Sequence, residues 1–241
     1  VKTESRRYVE IAESLKDRYR KIPEGTRLPS ERALSQEFEV SVVTLRHALS
    51  LLEQAGWIRK VAGSGSYVTR PTVLIGPSLT SFTEDMKSRG LAPSSLVLRA
   101  ETLQSNSEIS KHLSVRPGTQ VFLLERLRYA DGEAICHEVG VLPDQYGQLL
   151  ESADLEGSIH ATLADRGIFV QAAQRAVRAV VASDRESQLL ELPPRSPLLE
   201  IVDVFYDPFG SPMHYARTRY RFDRYEVRSN LENLNFKKSS V

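Results

Sequence analysis

The stretch LPSERALSQEFEVSVVTLRHALSLLEQAGWIRKVAGSGSYV, residues 28–68, decides the first part of the fold. Within it Leu45, Ala48, Leu49 and Leu52 recur at i, i+3, i+4 and i+7, the spacing of one buried stripe on a helix. That stripe leaves Val42 and Val43 outside, beside Thr44, Arg46 and His47. Two β-branched apolar residues on an outer face call for a contact other than water. Ser41 is placed to cap this helix and Gly56 to stop it. Upstream, Ser30 caps a short helix that ends near Phe38, with Glu31 at its positive end. Downstream, WIRKVAGSGSYVT reads as two short strands around a Gly-Ser-Gly tip.

A longer helix comes first, from about Glu4 to Lys21, with Val9 (or Tyr8), Ile11, Leu15 and Tyr19 on its apolar stripe; IPEGTRLP breaks it. Helix, short helix, tight turn, helix and hairpin is the order of a winged helix-turn-helix domain. Its third helix lies in the major groove, and its wing lies against the backbone or the minor groove. A generic three-helix module with an exposed hairpin has the same order. Residues 28–68 resemble the DNA-binding domain of the GntR family of bacterial transcription regulators, in the LPSER segment, the helix that follows the turn, and the glycine-rich wing. The resemblance implies phosphate or base contacts from Arg32, Thr44, Arg46 and the wing tip Gly63, Ser64 and Gly65. The chemistry agrees: arginines pair with phosphates or guanine edges, Thr44 offers a hydroxyl, and glycine lets the wing approach DNA closely. At Val42, where the family usually has arginine, an electrostatic contact gives way to an apolar one of the kind a thymine methyl accepts. His47 occupies a variable position and reads as solvated.

The chain has 241 residues, enough for two cores, and a net charge of +1 that hides an asymmetry. Residues 1–70 hold 13 Lys/Arg and 9 Asp/Glu, and the remainder holds 19 and 22. A basic first part and a mildly acidic second part suit different partners. No run reaches the roughly 18 apolar residues of a membrane span, and VKTESRRYVE lacks the apolar core of a signal peptide, so a cytoplasmic location and no membrane partner are expected. The sequence begins at Val1, so an initiator methionine is expected before it. The one cysteine, Cys136, excludes an internal disulfide and leaves too few thiols for a Cys-rich zinc site; neither metal nor cofactor is expected.

The domains read as a winged helix-turn-helix at 1–70, a linker at 71–78 stiffened by Pro71 and Pro77, and an effector-binding and dimerisation domain at 79–241. TSFTEDMKSRG, residues 80–90, is a short helix with hydroxyl and acidic residues at its start and Gly90 at its end. Strands are expected at about 95–103, 120–129, 133–142, 168–182, 197–206 and 213–222, with helices near 107–114, 158–166 and 184–192. Consecutive hairpins imply a largely antiparallel sheet carrying helices, hence α+β. This pattern resembles the UTRA effector domain of the HutC subgroup of the same family, a chorismate lyase-like fold. LTSFTEDMKSRGLAPSS, LERLRYADGEAICHE and ARTRYRFDRYEV carry the likeness, which points to regulators of the kind that sense amino sugar phosphates. It implies a homodimer that binds a small effector and double-stranded operator DNA.

An anion site has its own support in the residues. The helix start at Ser81, Phe82 and Thr83 presents backbone N–H groups and hydroxyls. Arg126 and Arg128 lie two apart on one strand, so they share a face, and Phe122 and Leu124 make that face apolar at one end. A solvated or salt-bridged pair of arginines has the same spacing. Whether Glu138 joins them depends on the turn. A two-residue turn at Asp131-Gly132 places it on the opposite face, and a three-residue loop from Ala130 to Gly132 places it on the same one, as the family pattern requires. The resemblance adds Ser158, His160 and Tyr220 to the effector site, though Ser158 alone reads as an N-cap and Tyr220 as a strand aromatic. Arg178 and His214 stand where hexosamine phosphate sensors tend to carry acidic residues, and His160 where tyrosine is usual, so a more cationic pocket is expected. The ligand is then a small anion, a doubly anionic compound or a phosphorylated sugar without the amine. The function implied is a ligand-responsive repressor. A lyase-like enzyme is the alternative, with no nucleophile-base pair or metal cluster in the sequence to carry it.

Overall fold

A computed structural model describes residues 2–20, 22–69, 73–75, 79–150 and 152–227. The chain divides into two compact units, Val1–Thr72 and Val73–Val241. Pro71, Pro77 and the expected helix end at Lys21 lie outside the described residues.

In the first unit, α1 (Lys2–Arg20) is followed by α2 (Glu31–Glu37), α3 (Val42–Gln54) and the hairpin β1 (Ile58–Val61) and β2 (Gly65–Val68). The caps are those the residue types dictate. Ser30 Oγ accepts from Ala33 N and Ser41 Oγ accepts from Thr44 N, at 3.2 and 3.1 Å, each contact contributing about 1 kcal/mol. Leu45, Ala48, Leu49 and Leu52 of α3 are buried against Ile11, Leu15 and Tyr19 of α1 and against Leu34, Trp57 and Ile58. Each fully buried large side chain of this kind contributes about 1.5–3 kcal/mol. Of the α1 stripe alternatives, Tyr8 packs on this core, while Val9 is turned outward. Residues 26–28 run beside β2: Leu28 N donates to Ser66 O and Val68 N to Thr26 O, both at 2.8 Å. The wing is thereby tied to the segment leading into α2.

The second unit is built on a six-stranded antiparallel sheet in the order β4-β5-β6-β9-β8-β7. Its strands are β4 (Pro93–Gln104), β5 (Gln120–Ala130), β6 (Glu133–Pro143), β7 (Ala172–Val181), β8 (Pro197–Tyr206) and β9 (Pro212–Arg221). The helices are α4 (Phe82–Ser88), α5 (Ser107–Leu113), α6 (Asp144–Gly147) with a 3-10 turn at Gln148–Leu150, α7 (Ile159–Ala164) and α8 (Asp184–Leu189). Strand parity sorts the core. Leu123, Val141, Val202 and Tyr215 meet Ile109 and Leu113 of α5 on one face. Phe122, Leu124, Leu142 and Met213 meet Leu150 and the α7 residues Ile159 and Leu163 on the other.

Two features depart from the expected layout. Within the span read as a linker, β3 (Val73–Ile75) pairs in parallel with β10 (Tyr225–Val227). The strand expected from 168 begins instead at Ala172. Among the described residues, no helix is long and apolar enough to cross a membrane.

Candidate functional site

The first unit gathers most of the residues singled out for DNA. Arg32, Val42, Arg46, Gly63 and Gly65 line one groove between the start of α2, the start of α3 and the wing. Val43, beside it in sequence, is 61 % exposed. Arg46 Nε donates to Glu31 Oε2 at 2.7 Å, with both side chains open to solvent. A surface pair of this kind contributes at most about 1 kcal/mol, so it does little to hold Arg46 in place. Thr44 and Ser64 stand outside the groove lining, each with its hydroxyl engaged locally, Thr44 with Ser41 Oγ at 2.8 Å and Ser64 with Tyr67 Oη at 2.6 Å. Arg27 and Lys60 line the same groove and escaped the sequence reading. Gly65 explains the place of Arg27. Its φ of +115° favours glycine, and a Cβ there would sit 3.2 Å from Arg27 Nε, so any larger residue would also press the guanidinium off the wing by a few tenths of an ångström.

In the second unit a cavity of about 80 Å³ opens on the sheet face that carries α4 and α7. Ser81, Phe82, Arg126, Arg128, Glu138, Ser158, His160, His214 and Tyr220 line it, together with Arg175, Asp203, Phe205 and Thr218, which the sequence reading missed. Glu138 reaches this face by a route that the two turn alternatives did not include. The loop is the two-residue one, Asp131 and Gly132 at φ 53° and 80°, with Ala130 paired to Glu133. The register then slips by one residue at Ile135, so that Arg128 pairs with Cys136 and Arg126 with Glu138. A β-bulge on β6 thus does what the longer loop was expected to do.

Arg126 is fully committed. Its Nε and Nη2 donate to Glu138 Oε1, and its Nη1 donates to the carbonyls of Leu155 and Gly157 at 2.9 and 2.8 Å, which fixes the segment leading into α7. Arg128 is held differently. Its Nη2 donates to Thr83 Oγ1 at 3.1 Å, its guanidinium lies 4.6 Å from the centre of the Phe82 ring, and its Nη1 is 3.7 Å from the Glu138 oxygen that Arg126 already occupies. The side chain is 2 % exposed, and Nε has no hydrogen-bond partner. Burial works to raise the Glu138 carboxyl, but Arg126 and Arg128 outweigh it and hold the group down to about 2.

Four expectations need correction. The start of α4 does not present free donors throughout: Glu84 folds back in a capping box, accepting from Ser81 N at 2.9 Å, while Ser81 Oγ takes the Glu84 N–H. Glu138 is not open to a ligand on the oxygen that both arginines share. Arg178 pairs across β8 with Glu200, on the sheet face away from the cavity, and is exposed; Arg175 occupies the cavity instead and chelates Asp203 with Nε–Oδ1 2.7 and Nη2–Oδ2 2.9 Å. Nor does His214 add positive charge. Burial, then the neighbouring His160, lower its pKa to about 3, and burial lowers that of His160 to about 4.

The two imidazoles share a hydrogen bond, His160 Nε2 to His214 Nδ1 at 3.0 Å, with Phe205 packed against both rings. Gly140 lies under His214: a Cβ there would approach Nε2 to 2.7 Å. Ser158 caps α7 through Ala161 N, and Tyr220 stacks on Tyr225 with ring centroids 3.5 Å apart. Burial pushes the Cys136 thiol, opposite Tyr220, well above its ordinary range, so it is no nucleophile.

Residues 7–68 match the model of bacterial regulatory proteins of the gntR family, and residues 88–226 match the UTRA domain. The HTH-type transcriptional repressor NagR of Bacillus subtilis is 29 % identical over 222 residues, covering 90 % of this chain and 91 % of that protein. The HTH-type transcriptional repressor PhnF of Mycolicibacterium smegmatis is 30 % identical over 201 residues, covering 83 % and 82 %. A crystal structure of PhnF from Mycobacterium smegmatis superposes with a TM-score of 0.71 at 27 % identity, covering 92 % of this chain and 98 % of that one.

Proposed function

Because this chain belongs to the GntR family and joins a helix-turn-helix DNA-binding domain to a UTRA effector domain, we propose that it is a repressor released or engaged by a small phosphorylated, sugar-like anion seated at Arg128. It is a transcription regulator and not an enzyme, as its named relatives are, and the lyase alternative has no support. The observation that carries the anion reading is the incomplete satisfaction of Arg128. A buried guanidinium with an unpartnered N–H and only a shared, 3.7 Å counter-ion is costly unless a ligand supplies the missing charge. Phe82 and the Thr83 hydroxyl border the same spot.

The regulator acts as a homodimer. Each chain carries a single α3, and a palindromic operator needs two recognition helices about one helical turn apart. The effector shifts operator affinity by binding one arrangement of the dimer better than the other. Gel shifts on the DNA upstream of the protein's own gene, with and without phosphorylated metabolites, test both halves of the reading. The parent protein is expected to bind and to respond. Arg128→Met is expected to bind the same DNA and not respond. Failure to bind any palindromic site refutes the regulatory reading, and an unimpaired response of Arg128→Met refutes the seat.

A further inference from the structure

Five charged side chains line the cavity: Arg126, Arg128 and Arg175 against Glu138 and Asp203. Asp203 is chelated by Arg175 through both oxygens, while Glu138 is held by Arg126 and approached by Arg128 on one oxygen, Oε1, so three cations face two carboxylates. A further part of the wall is the His160–His214 pair. A hydrogen bond between two imidazole nitrogens needs one N–H and one bare nitrogen, so the pair cannot present two protonated rings at that contact. The rings have little room to part, with Phe205 against both and Gly140 beneath His214.

We propose that His160 and His214 are the specificity-determining pair of the cavity, selecting an anionic polyhydroxy metabolite whose uncharged hydroxyl or carbonyl end meets the imidazoles, and rejecting the analogue that carries an ammonium group there. This rests on the anion seat at Arg128 proposed above. An ammonium brought into the cavity adds a fourth cation to three guanidinium groups that already share two carboxylates, and a buried cation without a counter-ion of its own is disfavoured. A hydroxyl suits the pair for the opposite reason. Two neutral imidazoles joined by one hydrogen bond keep one donor and one acceptor at their outer nitrogens, and a hydroxyl both gives and takes a hydrogen bond. The ordering also explains why two histidines in van der Waals contact with apolar Phe205 tolerate burial: the pair satisfies its own inner nitrogens before any ligand arrives.

The test is calorimetric titration of the full chain at neutral pH with three probes: inorganic phosphate, a hexose monophosphate, and the hexosamine monophosphate that differs only by an ammonium in place of one hydroxyl. The hexose phosphate is expected to bind at least about tenfold more tightly than the hexosamine phosphate, since an uncompensated buried charge discriminates no less than a misfitting apolar group does. His214→Asp, which adds a carboxylate above Gly140, is expected to narrow or reverse that order. A hexosamine phosphate that binds the parent protein as well as or better than its partner overturns the proposal and leaves the anion seat standing. Binding of inorganic phosphate without either sugar phosphate overturns the polyhydroxy class. Binding of none of the three overturns the seat at Arg128 itself. The comparison on the parent protein decides the matter whether or not the variant folds.

Discussion

Arg126 and Arg128 sit two residues apart on one strand, are equally buried, and carry the same charge, yet their removal is expected to differ sharply. Arg126→Met strips Glu138 of its two direct hydrogen bonds and orphans the carbonyls of Leu155 and Gly157. Breaking a buried ion pair from one side costs about 3–5 kcal/mol. Arg128→Met loses one hydrogen bond to Thr83, about 1 kcal/mol, the contact of its charge with Phe82, about 1 kcal/mol, and a 3.7 Å approach to Glu138, whose carboxylate stays hydrogen-bonded to Arg126. Against this it removes a buried unpartnered N–H that costs about 1–3 kcal/mol, and the methionine keeps the apolar stem packed. At mid-range the two sides nearly cancel, well short of the cost of Arg126→Met. With a slope of about 2 kcal/mol per molar urea, Arg126→Met lowers the unfolding midpoint of the second unit by about 2 M and Arg128→Met by less than about half a molar. The single tryptophan, Trp57, lies in the core of the first unit, so the second unit must be followed by far-ultraviolet circular dichroism instead. If Arg128→Met proves as destabilising as Arg126→Met, Arg128 is structural and the argument that its charge awaits a ligand is wrong.

Two further outcomes follow from the same structure. His160 and His214 have folded pKa values of about 4 and about 3, below their ordinary 6.5, so the unfolded chain binds protons first; stability is fully present above pH 6.5 and is lost as pH falls toward those values. Glu138 and Glu186, both held down to about 2, add losses only once the pH drops into the carboxylate range, so a stability profile between pH 7 and 5 isolates the histidines, and a flat profile there contradicts their burial as neutral rings. At the DNA face, Val42→Arg places a cation in the groove with Arg32 and Arg46; operator affinity is expected to rise and the slope of log K against log salt to steepen by about one phosphate contact. An unchanged slope in filter-binding or fluorescence titrations means that position 42 does not approach the backbone.

The helix-turn-helix was legible because its signals are local: serine caps at 30 and 41, a stop at Gly56, and apolar periodicity between them. The six main strands were legible for the same reason. What escaped depends on relations between strands. The bulge at Ile135 has no glycine or proline to mark it, so only the observed pairing reveals that a two-residue turn still brings Glu138 beside Arg126. Arg178 came from the likeness to the family pattern, whereas the cavity is lined by Arg175; a three-residue offset along a strand reverses the side, and nothing local in β7 marks which side meets the cavity. Asp203 and Phe205 belong to the same alternation on β8 and carry no motif of their own. The neutrality of His160 and His214 follows from burial, which residue type alone does not disclose.

The parallel pairing of Val73–Ile75 with Tyr225–Val227 joins positions about 150 residues apart, and closing so long a loop is entropically expensive for a ladder of three residue pairs. The cost falls once the six-stranded sheet has brought Tyr225 near its place, so the ladder is expected to form after the sheet and to exchange its amide protons sooner than the central strands do. Tyr225 is also the residue whose ring stacks on Tyr220 in the wall of the cavity, while Val73 is the first residue of the second unit after Thr72. One short ladder thus pairs the first residue beyond the DNA-binding unit with a tyrosine that stacks against the cavity wall.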